Sequence, residues 1–448
     1  MKKQVLLIVC LLATIMGYAY DFEVDGIYYG INNDGETVYV TSGDVKYSGE
    51  VVIPSTVTYD STTYSVTEIG KKAFYECSGL TSVTIPESVT NIGEYAFESC
   101  SGLTSVTIPE SVSEIGKWAF TDCSGLTKVE ISDIAAWCNI VFGNVSANPL
   151  YNAHNLYLNG ELVTNLEIPE SVTKIGNSAF VGCSGLTSVT IPESVTTIGN
   201  YAFENCSGLT SVTIPKSVTK IGGIAFYNCS GLTSVTIPEL VTKIGENAFA
   251  FCSGLTSVVY NAENCTSMGV SVFYGCNNLT ALTIGENVKT IPRCAFKDCS
   301  RLTSVTIPES VTSIGDYAFM DCTGLMSFTS LNVTPPTLPG ETTFEGMSRS
   351  CQLYVPESSV LAYQTSTGWT FFSHVNVILD SGVDAIETET LTVTVEGGAI
   401  RVDGAEGAVI EVYSLGGMLL YRGTETTIAM QSGVYLVKVA GTTQKVVL

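Results

Sequence analysis

Apolar residues recur along this chain at a fixed spacing. Phe74, Phe97 and Phe120, then Phe180, Phe203, Phe226 and Phe249, then Phe273, Phe296 and Phe319, lie 23 or 24 residues apart within each run. A typical unit reads IGEYAFESCSGLTSVTIPESVT, with Phe97, Cys100, Leu103, Val106, Ile108 and Val112 at the apolar positions. One such unit cannot bury its own apolar face. Stacked units can, because each residue then lies over its equivalent in the next coil at the strand spacing of roughly 4.8 Å. Within LTSVTIP, Val106 and Ile108 alternate with Ser105 and Thr107, the period of a strand with one face inward and one outward. The pattern predicts a solenoid with one parallel strand per coil, in which residues 103–108, 186–191, 209–214 and 302–307 belong to one continuous sheet.

The punctuation of the unit is regular too. Pro after Ile lacks an N–H donor and should end each strand. In nine of the ten units a Gly stands four residues before the Phe (Gly70, Gly93, Gly116, Gly176, Gly199, Gly222, Gly245, Gly269 and Gly315), with Pro292 as the exception. Gly there suits a backbone position that needs positive φ or close approach. EYAFESC is long enough for a single helical or 3₁₀ turn.

Two regions break the period. Between Phe120 and Phe180 the gap of 60 residues contains DIAAWCNIVF, read as a short helix anchored by Trp137 and Phe142, and LYLNGELV, whose Asn159-Gly160 pair signals a hairpin. This insertion occupies about residues 130–165, and the stretch Asn261–Met268 adds one further residue. Residues 20–66 are Tyr-rich and strand-like and are expected to cap the first coil, with the solenoid spanning 67–380. Its far end, 350–380, holds a degenerate repeat and then Trp369, Phe371 and Phe372, available to close the core. Residues 384–448 contain no Cys and no Pro, and seven short alternating runs there argue a small β-sandwich after the linker-like SGVDAIET.

The repeated unit resembles the BspA-like bacterial leucine-rich repeat over about residues 45–360, and its period falls in the range of that class. The resemblance implies a leucine-rich-repeat solenoid, mainly β with a parallel sheet and short turns, in a secreted or cell-surface protein of the kind common in Bacteroidetes. Such proteins are implicated in adhesion to host proteins or other microbes. VIEVYSLGGMLLY, SGVYLVKVAG and KVVL resemble the C-terminal sorting domain of the type IX secretion system, which implies passage across the outer membrane.

Charge and composition narrow the chemistry. With a net charge of -23 and 20 Lys+Arg in 448 residues, the chain would repel a nucleic-acid backbone or an anionic bilayer. Lys2 and Lys3 before the apolar stretch Val5–Met16, and the small residues Gly17 and Ala19, read as a signal peptide cleaved after Ala19. The mature chain should not insert in a membrane, which takes roughly 20 apolar residues. His154 and His374 are the only histidines, so a Ser or Cys nucleophile has little choice of base, and no enzymatic motif, cofactor site or metal site is expected. Of the 15 Cys, ten lie three residues after each repeat Phe. In that slot a reduced, inaccessible thiol acting as a small hydrophobe is preferred over a disulfide. Cys138, Cys265, Cys294 and Cys351 lie off this ladder, and their state stays open.

Candidate binding residues follow from the outward strand positions. Ser82/Thr84, Ser105/Thr107, Ser188/Thr190, Ser211/Thr213, Ser234/Thr236 and Ser304/Thr306 form a hydroxyl array on a sheet roughly 50 Å long, to be weighed against the fact that Ser and Thr simply suit exposed strands. Tyr95, Trp118, Tyr201 and Tyr317, each two residues before a repeat Phe, form a second candidate patch. The expected partner is a host extracellular or microbial surface protein, with a glycan bound through the aromatics as the alternative. Ice binding through the SxT ladder is set back by its mixed Ser and Thr and its interruptions.

Overall fold

The structure is a computed structural model that describes residues 20–263, 265, 267–378, 392–396, 399–403, 409–414, 419–430, 434–439 and 442–447. The signal-peptide and linker readings fall outside these residues. Two units are present, divided between Asn376 and Val377.

The first unit is a parallel β-solenoid with two strands per coil where one was expected. The SxT segments form one ladder, with Ser188 opposite Ser211 and Thr190 opposite Thr213. A second ladder is built from pairs such as Lys174–Ile175, Thr197–Ile198, Lys220–Ile221 and Lys243–Ile244. Two residues are too few to show a strand period, and each pair bonds only because its copy lies in register beside it.

The expected continuous sheet is also corrected. The first ladder divides into a six-stranded piece ending in the hairpin Leu156–Leu158 and Glu161–Leu162, a three-stranded piece from Asn165 to Thr213, another from Ser234 to Ile284, and a last one from Ser304 to Val377. At the first break the antiparallel hairpin strand occupies the edge where a parallel neighbour would pair. At the second, Thr233 N–H still donates to Thr210 O at 3.2 Å, so the coils remain stacked. The second ladder stops at Ser267–Met268 and resumes at Thr290–Ile291, next to the coil that carries the extra residue. One hydrophobic core nevertheless runs through the whole unit, from Phe22 to Phe372.

EYAFESC is neither a helix nor a 3₁₀ turn. Tyr95 (φ 59) and Ser99 (φ 61) are left-handed, and the same two positions are left-handed in coil after coil. The hydrogen bonds give the reason. N–H groups of Tyr95, Phe97 and Ser99 donate across to Lys117, Ala119 and Thr121 of the next coil at 2.7–3.0 Å, while Ala96, Glu98 and Cys100 bond within their own coil. A helix would spend all six donors internally and leave the stack unbonded. The glycine before each Phe resolves to close approach rather than positive φ: a Cβ on Gly116 would lie 2.6 Å from Glu94 N and 2.8 Å from Gly93 C in the preceding coil.

Inside, the Phe rings stack at 4.9–5.7 Å, broken only across the insertion. Beside them eight of the ten ladder thiols donate to the Phe carbonyl of the coil before, as Cys100 Sγ does to Phe74 O at 3.0 Å and Cys123 Sγ to Phe97 O at 3.0 Å. The cysteine is thus a donor of fitting size as well as a hydrophobe. All fourteen cysteines of the described residues are buried thiols, the four off-ladder ones included.

The insertion behaves as read. Asp133 caps a helix over Ile134–Asn139, Trp137 is buried against Phe142, and Asn159-Gly160 turns the hairpin with both φ positive. Trp137 Nε1 and Asn148 Nδ2 donate to Ala179 O at 2.7 and 3.2 Å, replacing the cross-coil bond that a repeat Phe N–H would supply. At the N-terminal end Tyr47 packs 4.6 Å from Phe74 and its hydroxyl donates to Thr41 O, closing the ring stack. Trp369, Phe371 and Phe372 are buried at the other end, and Trp369 Nε1 donates to Pro336 O at 2.8 Å.

The second unit, Val377–Leu448, contains a three-stranded and a four-stranded antiparallel sheet. Ile400, Val402 and Ile428 from one and Ile410, Val412, Val437 and Val439 from the other share a single core, which makes it a sandwich.

Candidate functional site

The SxT positions lie on the outward face, because the inward pleat is taken by Val and Ile. Thr84, Thr107, Thr190, Ser211, Thr213, Ser234, Thr236, Ser304 and Thr306 are exposed, and Ser82, Ser105 and Ser188 are half-buried. Registers Ser82–Ser105, Ser188–Ser211 with Thr190–Thr213, and Ser304–Ser327 with Thr306–Thr329 bring them side by side in separate groups. Between the first groups stand Lys128, ion-paired to Glu130 at 2.7 Å and lying 4.4 Å over Tyr157. Sequence reading passed over Lys128, Glu130 and Tyr157 because they depart from the SxT motif used as the search pattern.

Hydroxyl use separates this array from its neighbours. In the middle coils the Thr at the start of each strand is spent on the stack: Thr187, Thr210, Thr233 and Thr256 Oγ1 each donate to the equivalent carbonyl of the preceding coil at 3.0–3.3 Å. A further column, Thr196, Thr219 and Thr242, does the same at 3.2–3.3 Å. Of the twelve SxT hydroxyls, only Ser188 has a hydrogen bond among the described residues, to Asn165 Oδ1 at 2.7 Å.

The aromatic patch is brought together only in part. Tyr95 and Trp118 stack at 5.0 Å with planes 13° apart, and Lys71, Lys72 and Lys117 lie 5.6–6.0 Å over their rings. Tyr201 and Tyr317 occupy the same column on distant coils, where neighbouring positions are Ser178, Ile224 and Cys294. Arg293 covers Tyr317 at 5.5 Å.

His154 bonds through Nδ1 to Gly182 O at 3.1 Å, and His374 to Ser373 Oγ at 3.0 Å. Burial pushes the Cys183, Cys252 and Cys322 thiols up to about 12, which opposes thiolate chemistry. Among the described residues there is no group of three or more His, Cys, Asp or Glu that could hold a metal ion. The arrangement offers a wide polar surface and deep, inert thiols.

The family model described as "BspA type Leucine rich repeat region" matches this chain in six copies over residues 55–148, 153–279 and 266–365, well over half of its length. A leucine-rich repeat protein from Bacteroides ovatus is 26% identical, with a TM-score of 0.50 over 80% of this chain and 100% of its own. A leucine rich cell surface protein from Faecalibacterium prausnitzii is 26% identical, with a TM-score of 0.46 over 80% of this chain and 94% of its own. No curated protein matches.

Proposed function

This chain belongs to the BspA-type leucine-rich repeat family, and on that premise we propose that it is a non-catalytic adhesion protein that binds a host or microbial surface macromolecule through its SxT face. The observation that carries this is the unspent hydroxyls. Threonines on either side bond coil to coil, whereas Thr190, Ser211 and Thr213 stand exposed in register without such bonds. A partner laid along the ladder would find a repeated donor and acceptor pair in each coil.

The test begins with a pull-down of the full chain against matrix proteins and bacterial surfaces. For the partner it identifies, Thr190→Arg with Thr213→Arg should lower affinity at least about tenfold. Because exposed substitutions usually stay within about 0.5 kcal/mol, the thermal midpoint should hold. Undiminished affinity in this variant would move the contact off the SxT face.

Export and delivery complete the proposal. Residues 1–19 act as the signal peptide, and 384–448 as a type IX sorting module that places the solenoid at the outer surface. The change to a Cys-free β-pattern supports this, as does the separate core of the second unit. Deletion from Asp384 onward, in a host with that secretion system, should leave thermal unfolding of the solenoid nearly unchanged while the protein accumulates in the periplasm. Surface display of the truncated chain would reject the sorting role.

A further inference from the structure

The repeat is regular enough to serve as its own reference, and three neighbouring coils depart from it together. Consecutive coils normally read ESCSGL or a near variant after the Phe, yet three successive coils read AFCSGL, YGCNNL and KDCSRL. The altered residues Phe251, Asn277, Asn278 and Arg301, together with Tyr274 and Asp298, line a single open depression of about 540 Å³. That volume lies in the range of small-ligand sites, ~300–1,000 Å³.

Phe251 is the telling residue. It sits at the left-handed position two residues after the repeat Phe, with φ 59. Other coils fill that position with Glu76, Ser99, Asp122, Gly182, Asn205, Asn228, Gly275, Asp298 and Asp321, mostly types that tolerate the conformation. A bulky aromatic there is strained, and the residue is 40% exposed, so the coil gains little backbone ease or burial from it. Its ring lies over Gly275, where a Cβ would come within 2.9 Å of Phe251 Cδ1, and meets Tyr274 edge to face at 5.2 Å and 86°. Tyr227 supports it from the other side at 5.4 Å.

The polar lining is mixed in kind and balanced in sign. Asn278 Nδ2 is anchored on Ser253 O at 2.7 Å. Lys297 lies 5.6 Å over Tyr274. Burial and the neighbouring Asp321 carboxylate push the Asp298 carboxyl above its ordinary value. Amides, a carboxylate and a guanidinium beside two perpendicular aromatic rings suit a ligand with a weakly polarised C–H face and a rim of hydroxyls that both donate and accept. A neutral pyranose has that form. An anionic ligand is disfavoured by the net charge of -23, and the open, half-polar wall lacks the closed apolar recess that an aliphatic side chain would fill.

We propose that the depression around Phe251, Tyr274 and Arg301 is a subsite for a neutral oligosaccharide, contacting a sugar face through the two rings and its hydroxyls through Asn277, Asp298 and Arg301. It rests on the reading of the chain as a binding protein and adds a second contact, distinct from the SxT ladder. The test uses the full chain and calorimetric titration with mannotetraose, cellotetraose, chitotetraose and maltotetraose. At least one should bind. Phe251→Asn and Arg301→Gly, which restore residue types that other coils carry at these positions, should each weaken that binding about tenfold or more, with the thermal midpoint of Phe251→Asn equal to wild type or higher. If no tetrasaccharide binds, or if Phe251→Asn binds as wild type does, the subsite is overturned. Retention of a matrix or bacterial-surface partner in that event would leave the adhesion reading standing, whereas a chain that captured neither sugar nor macromolecule would defeat both.

Discussion

Raising the pH from 9 to 10 should strip the solenoid of most of its stability. Burial holds the thiols of Cys183, Cys252 and Cys322 at about 12, and those of Cys206, Cys229, Cys276 and Cys299 well above their ordinary 9.0. In that interval the folded chain keeps these protons and the unfolded chain releases them. Stability is therefore complete well below pH 9 and falls as the pH climbs toward 12, by about 1 kcal/mol for each thiol between pH 9 and 10 and approaching about 1.4 kcal/mol per unit above that. Several thiols acting together rival a typical total of ~5–15 kcal/mol within one or two units. Restricting the measurement to pH 9–10 also keeps small the contribution of the buried phenols of Tyr47, Tyr260 and Tyr363, which start from 10.0 and are raised further by burial. Urea unfolding should show the slope, and the triple change Cys183→Ala, Cys252→Ala and Cys322→Ala should reduce the loss between pH 9 and 10 by about 3 kcal/mol, three times the single-thiol value. At pH 8, without denaturant, a thiol reagent should find the ladder closed and label it only as the coils unfold. Rapid labelling of native protein, or a slope indifferent to the triple change, would contradict the buried-ladder account.

Gly245→Ala should be the most damaging single methyl group in the chain. An added Cβ would stand 2.1 Å from Gly223 N and 2.4 Å from Gly223 Cα of the preceding coil. Both are backbone atoms, so no side chain can swing aside, and the coils must part. Parting them breaks the 2.8 Å bond from Gly245 N–H to Ile221 O and disturbs the Lys243–Lys220 register. Overpacking costs ~1–3 kcal/mol and a lost hydrogen bond ~0.5–1.5 kcal/mol, so a destabilisation of about 3 kcal/mol or more is expected. Gly160→Ala supplies the contrast: its φ of 89 strains an alanine, but nothing lies within 4 Å of the new atom. That change should cost only about 1 kcal/mol. Denaturant titration of the two variants ranks close approach against backbone conformation, and equal losses would mean that the stack is more compliant than these contacts imply.

The ambiguity over these glycines shows where sequence reading stops. From the chain alone, Gly245 could serve positive φ or close approach, since both require a missing Cβ; only the position of Gly223 in the neighbouring coil decides between them. The turn at EYAFESC is a similar case. Its length fits a 3₁₀ turn, but the carbonyls of Lys117, Ala119 and Thr121 compete for alternate N–H groups, and they lie on another coil.

What the order of residues determined by itself was everything that depends on period: the coil, the inward Phe, Cys, Leu, Val and Ile, the outward SxT pairs, the insertion with its Asn159-Gly160 turn, and the aromatic closure at Trp369. These follow because burial and alternation are local properties that a single repeat already displays. Tertiary structure alone decided which of those features meet. Lys174 and Thr197 become a strand only beside each other, Tyr95 stacks on Trp118 while Tyr201 stands apart, and Phe251, Tyr274 and Arg301, separated by about one coil each, converge on one depression. Stacking turns a separation of 23 or 24 residues into direct contact, so a small departure in each of three units stays scattered in the sequence and becomes a site only in the folded coil.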